Sequence, residues 1–177
     1  MVFKTISSKT VFIGRVFDVR QDQFFLPNGR QARIDLVVHR GAVTIVPVDE
    51  IGMIWFIRQY RHPASKVLLE LPAGVLEDGE LPEVGADREL QEEIGMSAVQ
   101  LKQLGGFFLA PGYSTEYLTI FLATGLVTNP LEPDEDEMIE IAKLPIDEAL
   151  AMAETGLIED AKTLAALLLA RPYIVNL

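Results

Sequence analysis

The chain has 177 residues, enough for one ordinary domain with a buried core, and its 49% hydrophobic and 23% charged content is ordinary globular usage. A net charge of −11 excludes the basic surface of a nucleic-acid binder, and an anionic substrate would have to be drawn by a local site rather than by the overall field. With no cysteine there is neither a disulfide nor a thiolate metal site; no apolar signal core opens the chain and the longest apolar run, residues 164–170, is too short to span a membrane, so a cytoplasmic protein is expected.

Residues 1–40 alternate in a strand-like way, over 10–14 and again over 16–20, with Pro27-Asn28-Gly29 as a turn signal between strands. Residues 33–39 and 43–48 read as strands, the second nearly all apolar and therefore buried. Asp49 to Gly52 turns the chain into a further apolar strand over 53–58, in which Trp55 reads as core. Strands follow over 101–108 and 118–123. Asn129 to Glu137 forms an acidic, proline-containing loop before a strand over 138–142, and two helices, 146–155 and 158–170, close the chain with Gly156 as the break. No internal repeat or low-complexity linker interrupts this order. The pattern of strands around one central and two terminal helices is α+β.

The central helix carries the most informative residues. Pro82 suits a first helical turn, and Gly95 suits the left-handed residue that ends a helix. Leu81, Val84, Leu90 and Ile94 make an apolar stripe expected to face the core, with Gly85 costing about 1 kcal/mol relative to alanine at mid-helix. Between them lies Arg88-Glu89-Leu90-Gln91-Glu92-Glu93. Residues three and four apart are neighbours on a helix, so Glu89, Glu92 and Glu93 crowd onto one side and repel one another. A hard, oxygen-seeking cation relieves that repulsion, and Mg²⁺ is commonly held by a few carboxylates together with substrate phosphates.

From Gly74 to Met96 the spacing of Gly74, Glu80, Arg88, Glu89, Glu92, Glu93 and Gly95 resembles the Nudix box, with every defining position filled. The resemblance implies an α/β/α sandwich with a mixed sheet and a small N-terminal β region. It also implies metal-dependent hydrolysis of a nucleoside diphosphate linked to another group, with Mg²⁺ or Mn²⁺ as cofactor. By the same resemblance Glu89 and Glu93, with the main-chain carbonyl of Ala73, hold metal, Glu92 is the neighbouring carboxylate, and Arg88 and Glu80 brace the loop.

Four features outside the box resemble the ADP-ribose pyrophosphatase branch of that family. They are Arg58-Gln59-Tyr60-Arg61; Glu70 to Gly74 leading into the box; Ala110 to Glu116 with Pro111 sixteen residues after Gly95; and Gly156 to Thr163 at the C-terminal helix. The resemblance spans roughly residues 27–170. It implies Arg58, Glu70, Arg33 and Gly112 as substrate-binding residues, and Arg is the side chain best built for bidentate phosphate binding. Glu70 reads equally well as the partner of an arginine. In this branch the acidic loop supplies a further carboxylate to the metals and the general base; aligning residues 139–141 puts Glu137 at the metal position and Glu135 at the base position. A slip of one or two residues would exchange them with Asp134 or Asp136, and Glu92 is the other candidate for the base. Such a loop would close on the site as metal and substrate bind.

The implied reaction converts ADP-ribose to AMP and ribose 5-phosphate. Two alternatives are a broader nucleoside-diphosphate-sugar hydrolase and a Nudix domain that senses a nucleotide without cleaving it. The second should have lost box carboxylates, and none is missing. Residues 1–40 are expected to form the N-terminal β region that pairs two copies into a homodimer, and residues 41–177 the hydrolase domain. The partner is a small nucleotide sugar, with no nucleic acid and no membrane.

Overall fold

A computed structural model describes residues 2–132 and 138–175. They fall into two compact units, Met1–Gly41 with Phe107–Tyr117, and Ala42–Gly106 with Leu118–Leu177. The first unit is built on a three-stranded antiparallel sheet in the order β1 (Lys4–Ile13), β2 (Asp18–Phe25), β3 (Gln31–Val38). The turn at Pro27-Asn28-Gly29 lies between β2 and β3. Gly29 takes a left-handed φ of 81°, and Leu26 N–H donates to Arg30 O at 2.8 Å. Residues 113–115 add backbone bonds to β3, Val37 N–H donating to Tyr113 O at 2.7 Å and Thr115 N–H to Val37 O at 2.9 Å. β1 is exposed along its whole length, Ile6, Val11 and Phe12 included.

The second unit has a seven-stranded mixed sheet. Its main path is β10 (Ile139–Pro145), β5 (Met53–Arg61), β4 (Ala42–Val48), β9 (Tyr117–Thr128), β8 (Met96–Phe108). β4 runs parallel to β9 and antiparallel to β5, while the short strands β6 (Lys66–Glu70) and β7 (Ala73–Val75) pair with β5 and β4. β4 is buried at every residue, the expectation for a strand covered on both faces. Val43 and Ile45 pack with Ile57, Phe121 and Ala123 against Ala86, Leu90 and Ile94 of the helix α1 (Pro82–Ile94). By strand alternation, Thr44, Val46 and Val48 face the other way, toward α3 (Ala161–Ile174), against which α2 (Ile146–Glu154) packs. Burying a Leu or Ile in either layer contributes about 1.5–3 kcal/mol. No helix among the described residues is long and apolar enough to cross a membrane.

α1 has its expected ends, Pro82 in the first turn and Gly95 at φ 70° after the last. Its buried face is the expected one only in part, since Leu90 and Ile94 are buried. Leu81 and Val84 are exposed, and the buried side is Gly85, Ala86, Glu89, Leu90, Glu93 and Ile94. Two carboxylates therefore occupy positions that an ordinary amphipathic helix gives to apolar residues. Gly85 has a local reason: a Cβ there would stand 2.6 Å from Leu76 Cδ2 and 3.0 Å from Glu80 Oε2. α3 starts at Ala161 rather than at residue 158, because Asp160 caps it by accepting Thr163 N–H. Trp55 packs at the edge of the α1 core and donates its indole N–H to Asp49 Oδ2 at 3.0 Å.

Candidate active site

Burying a carboxylate is costly unless it is paired or coordinated, yet Glu89 and Glu93 are only 7% and 5% exposed. The sequence places them one turn apart on α1, and β7 brings backbone to meet them. Ala73 N–H donates to Glu93 Oε2 at 2.9 Å. Next to it, Gly74 leaves the space in which the Glu89 carboxylate lies. A Cβ on Gly74 would stand 2.0 Å from Glu89 Oε1 and 2.1 Å from its Cδ, a separation no real pair of atoms adopts. The glycine thus serves close approach.

Arg88 gathers the other acids. Its Nε donates to Glu80 Oε1 at 2.9 Å and its Nη2 to Glu80 Oε2 at 3.0 Å, a bidentate pair. Nη1 is shared between Glu89 Oε1 and Glu92 Oε2, both at 2.8 Å, and Nη2 also reaches Val75 O at 3.2 Å. These bonds, those from Glu80 foremost, raise the guanidinium pKa well above its ordinary value. Arg88 likewise holds the Glu80 carboxyl below its ordinary value. Glu80 accepts Glu77 N–H as well, at 2.9 Å, and so closes the loop ahead of α1. One arginine thus ties three carboxylates and a carbonyl into a fixed array.

Across the sheet end, Glu70 is 1% exposed and accepts Arg61 Nε and Nη2, each at 2.8 Å, and the ammonium of Lys162. Burial pushes the Glu70 pKa up, but hydrogen bonds from Arg61 and the charge of Lys162 outweigh it and the net direction is down. Glu70 holds the two cations in place with its oxygens committed to them. Arg61 is raised in turn, by Glu70 first and by the charge of Glu93 among the lesser causes.

Arg58 and Arg61 lie on opposite faces of β5. Alternation puts Arg61 and Gln59 on the face of Ile57, which packs against α1, whereas Arg58 is exposed on the other face, opposite Glu140 of β10. Sequence reading named Arg58 and passed over Arg61. The available signal was strand parity from the apolar Ile57. Arg33 and Gly112 lie in the other unit, Arg33 exposed on β3 with Asp35 at 3.9 Å and Gly112 exposed in the 107–117 segment. Glu135 and Glu137 lie outside the described residues. The flanks of their loop are fixed. Leu131 N–H donates to Gln91 O at 3.1 Å and Asn129 N–H to Gly95 O at 3.0 Å, at the C-terminal end of α1, and Ile139 pairs with Gln59.

Among the described residues no three Asp, Glu or His side chains converge as a ready cation cage. The donor set that is present suits a hard divalent ion all the same. The carboxylates supply anionic oxygen, Glu89 and Glu93 are both buried one turn apart, and the missing side chain of Gly74 is what lets the Glu89 carboxylate lie against β7.

Comparison with known proteins agrees with this geometry. The NUDIX domain family matches residues 38–167. An ADP-ribose pyrophosphatase of Bacillus subtilis (strain 168) is 38% identical over 166 residues, covering 93% of this chain and 90% of the relative. A methanol dehydrogenase activator of Bacillus methanolicus is 39% identical over 165 residues, covering 92% and 89%. The crystal structure of an ADP compounds hydrolase superposes with a TM-score of 0.87 at 27% identity, covering 99% of this chain and 96% of that one.

Proposed function

The chain belongs to the NUDIX family, and from that premise we propose that it hydrolyses the pyrophosphate bond of ADP-ribose to AMP and ribose 5-phosphate. The observation that carries the reading is the buried pair Glu89 and Glu93, facing Ala73 and Gly74 with every box carboxylate in place. ADP-ribose is the compound for which the B. subtilis relative is named, and ADP compounds those of the structural neighbour. A broader action on nucleoside-diphosphate sugars is the second enzymatic reading. A purely regulatory role, suggested by the name of the B. methanolicus relative, does not explain why two carboxylates are buried at a cost.

The residues divide the work as follows. Glu89 and Glu93, with the Ala73 carbonyl and Glu92 beside them, would hold divalent metal, and we take Mg²⁺ as the ion. A divalent ion held there would supply charge to neutralise phosphate oxygens and to lower the pKa of a water. Arg88 fixes the Glu89 and Glu92 carboxylates before substrate arrives, so those two side chains need no further ordering. Arg61, on the α1 face and steered by Glu70, is better placed than Arg58 to steady a phosphate; its side chain is 37% exposed. Glu135 or Glu137 of the acidic loop, or Glu92, takes the proton of the attacking water. Arg33 and Gly112 are proposed as nucleotide contacts. Incubation with ADP-ribose, GDP-mannose and ADP-glucose at equal concentration tests specificity. The proposal expects ADP-ribose to give the highest kcat/KM, and preference for a non-adenine sugar would overturn it.

We also propose a homodimer paired through the N-terminal sheet. Its support is β1, a long edge strand exposed on every residue and carrying large apolar side chains, the kind of edge that pairs. Sedimentation at micromolar concentration should give twice the chain mass of 19.6 kDa. A monomer would refute the pairing.

A further inference from the structure

The site reading leaves unexplained why α3, ninety residues away in sequence, carries a fully buried threonine on its first turn. Thr163 is 0% exposed and its hydroxyl is used in both directions. It donates to Asp160 Oδ2 at 2.6 Å and accepts Leu71 N–H at 2.9 Å, while its own N–H donates to the same Asp160 oxygen at 3.0 Å. Asp160 is held in turn by Lys162 at 3.0 Å. Leu71 opens the turn that delivers β7. Pro72 O accepts Thr44 Oγ1 at 3.1 Å and Ile45 N–H at 2.9 Å, and then Ala73 N–H reaches Glu93.

We propose that Thr163 is a positioning residue for hydrolysis: its hydroxyl fixes the turn 71–73 and thereby sets Glu93 and the Ala73 backbone for metal. The bonds form an unbroken path from α3 to the carboxylate, and every group along it is buried or half-buried. A buried N–H seeks an acceptor, so loss of the hydroxyl leaves Leu71 N–H unsatisfied and lets the turn shift. This inference rests on the assignment of Glu89 and Glu93 as metal ligands.

The test uses the full-length protein and Mg²⁺. Thr163→Val keeps the shape and removes the hydroxyl. It should raise the Mg²⁺ concentration for half-maximal turnover roughly tenfold, the shift expected when one buried donor loses its acceptor. It should also shrink the rise in Tm that Mg²⁺ produces without substrate. Thr163→Ser restores the hydroxyl and should behave like the parent. Leu167→Ala, one turn along the same buried face, should lower Tm but leave Mg²⁺ dependence unchanged. If Thr163→Val does not fold, Thr44→Val loosens the same turn and must shift the Mg²⁺ dependence in the same direction. Parent-like Mg²⁺ dependence in the folded valine variant, or an equal shift in Leu167→Ala, would overturn the proposal. A parent protein without Mg²⁺-dependent turnover would sink the site assignment along with it.

Discussion

Glu93→Gln should reduce turnover of ADP-ribose on the order of a thousandfold or more while leaving Tm nearly unchanged. Its amide oxygen can still accept Ala73 N–H, so the 2.9 Å bond that joins α1 to β7 survives. What disappears is the charge. Charge neutralisation by a bound metal supplies several kcal/mol to such a transition state, and each 1.36 kcal/mol is a factor of ten in rate. Purified Glu93→Gln should therefore bind Mg²⁺ weakly and turn over near background, with a circular dichroism spectrum like that of the parent. Near-normal kcat in this variant would mean that the buried carboxylate serves folding alone.

Gly74→Ala is expected to cost about a hundredfold, by a different route. Gly74 is not among the glycines with positive φ, so its backbone accepts an alanine, and its pairing with Val43 can persist. The added Cβ collides first with Glu89, whose Oε1 and Cδ would lie 2.0 and 2.1 Å away. The whole carboxylate must move aside, and a displacement of about 1 Å at a reacting centre can cost a factor of 10². Because the nearest atoms to the new Cβ all belong to Glu89, Gly74→Ala placed on a Glu89→Ala background should add almost nothing. Additive losses in the double variant would show that Gly74 acts elsewhere.

Much of this arrangement was legible in the sequence, and the gaps have definite causes. The ends of α1 could be read because Pro82 and Gly95 act locally, through backbone dihedrals. Its buried face could not be read from apolar periodicity alone, which assigns glutamates to solvent; Glu89 and Glu93 break that rule, held inside by bonds from Arg88 and from Ala73 N–H. Of the expected stripe, Leu90 and Ile94 are buried and Leu81 and Val84 are exposed. The run Arg58 to Arg61 was found, but not which arginine faces α1, although alternation from Ile57 would have told. Glu70 had two readings, and its place between Arg61 and Lys162 shows the ion-pairing one in operation. Lys162 and Thr163 meet Glu70 and Leu71 across 92 residues of chain, a separation at which no local pattern carries information.

The central claim is that this chain is a metal-dependent ADP-ribose pyrophosphatase, and product analysis with and without chelator tests it most directly. ADP-ribose incubated with the protein and Mg²⁺ should yield AMP and ribose 5-phosphate in equal amounts by chromatography, and nothing after excess EDTA. Hydrolysis that survives EDTA, or no cleavage of ADP-ribose with Mg²⁺ present, would contradict it.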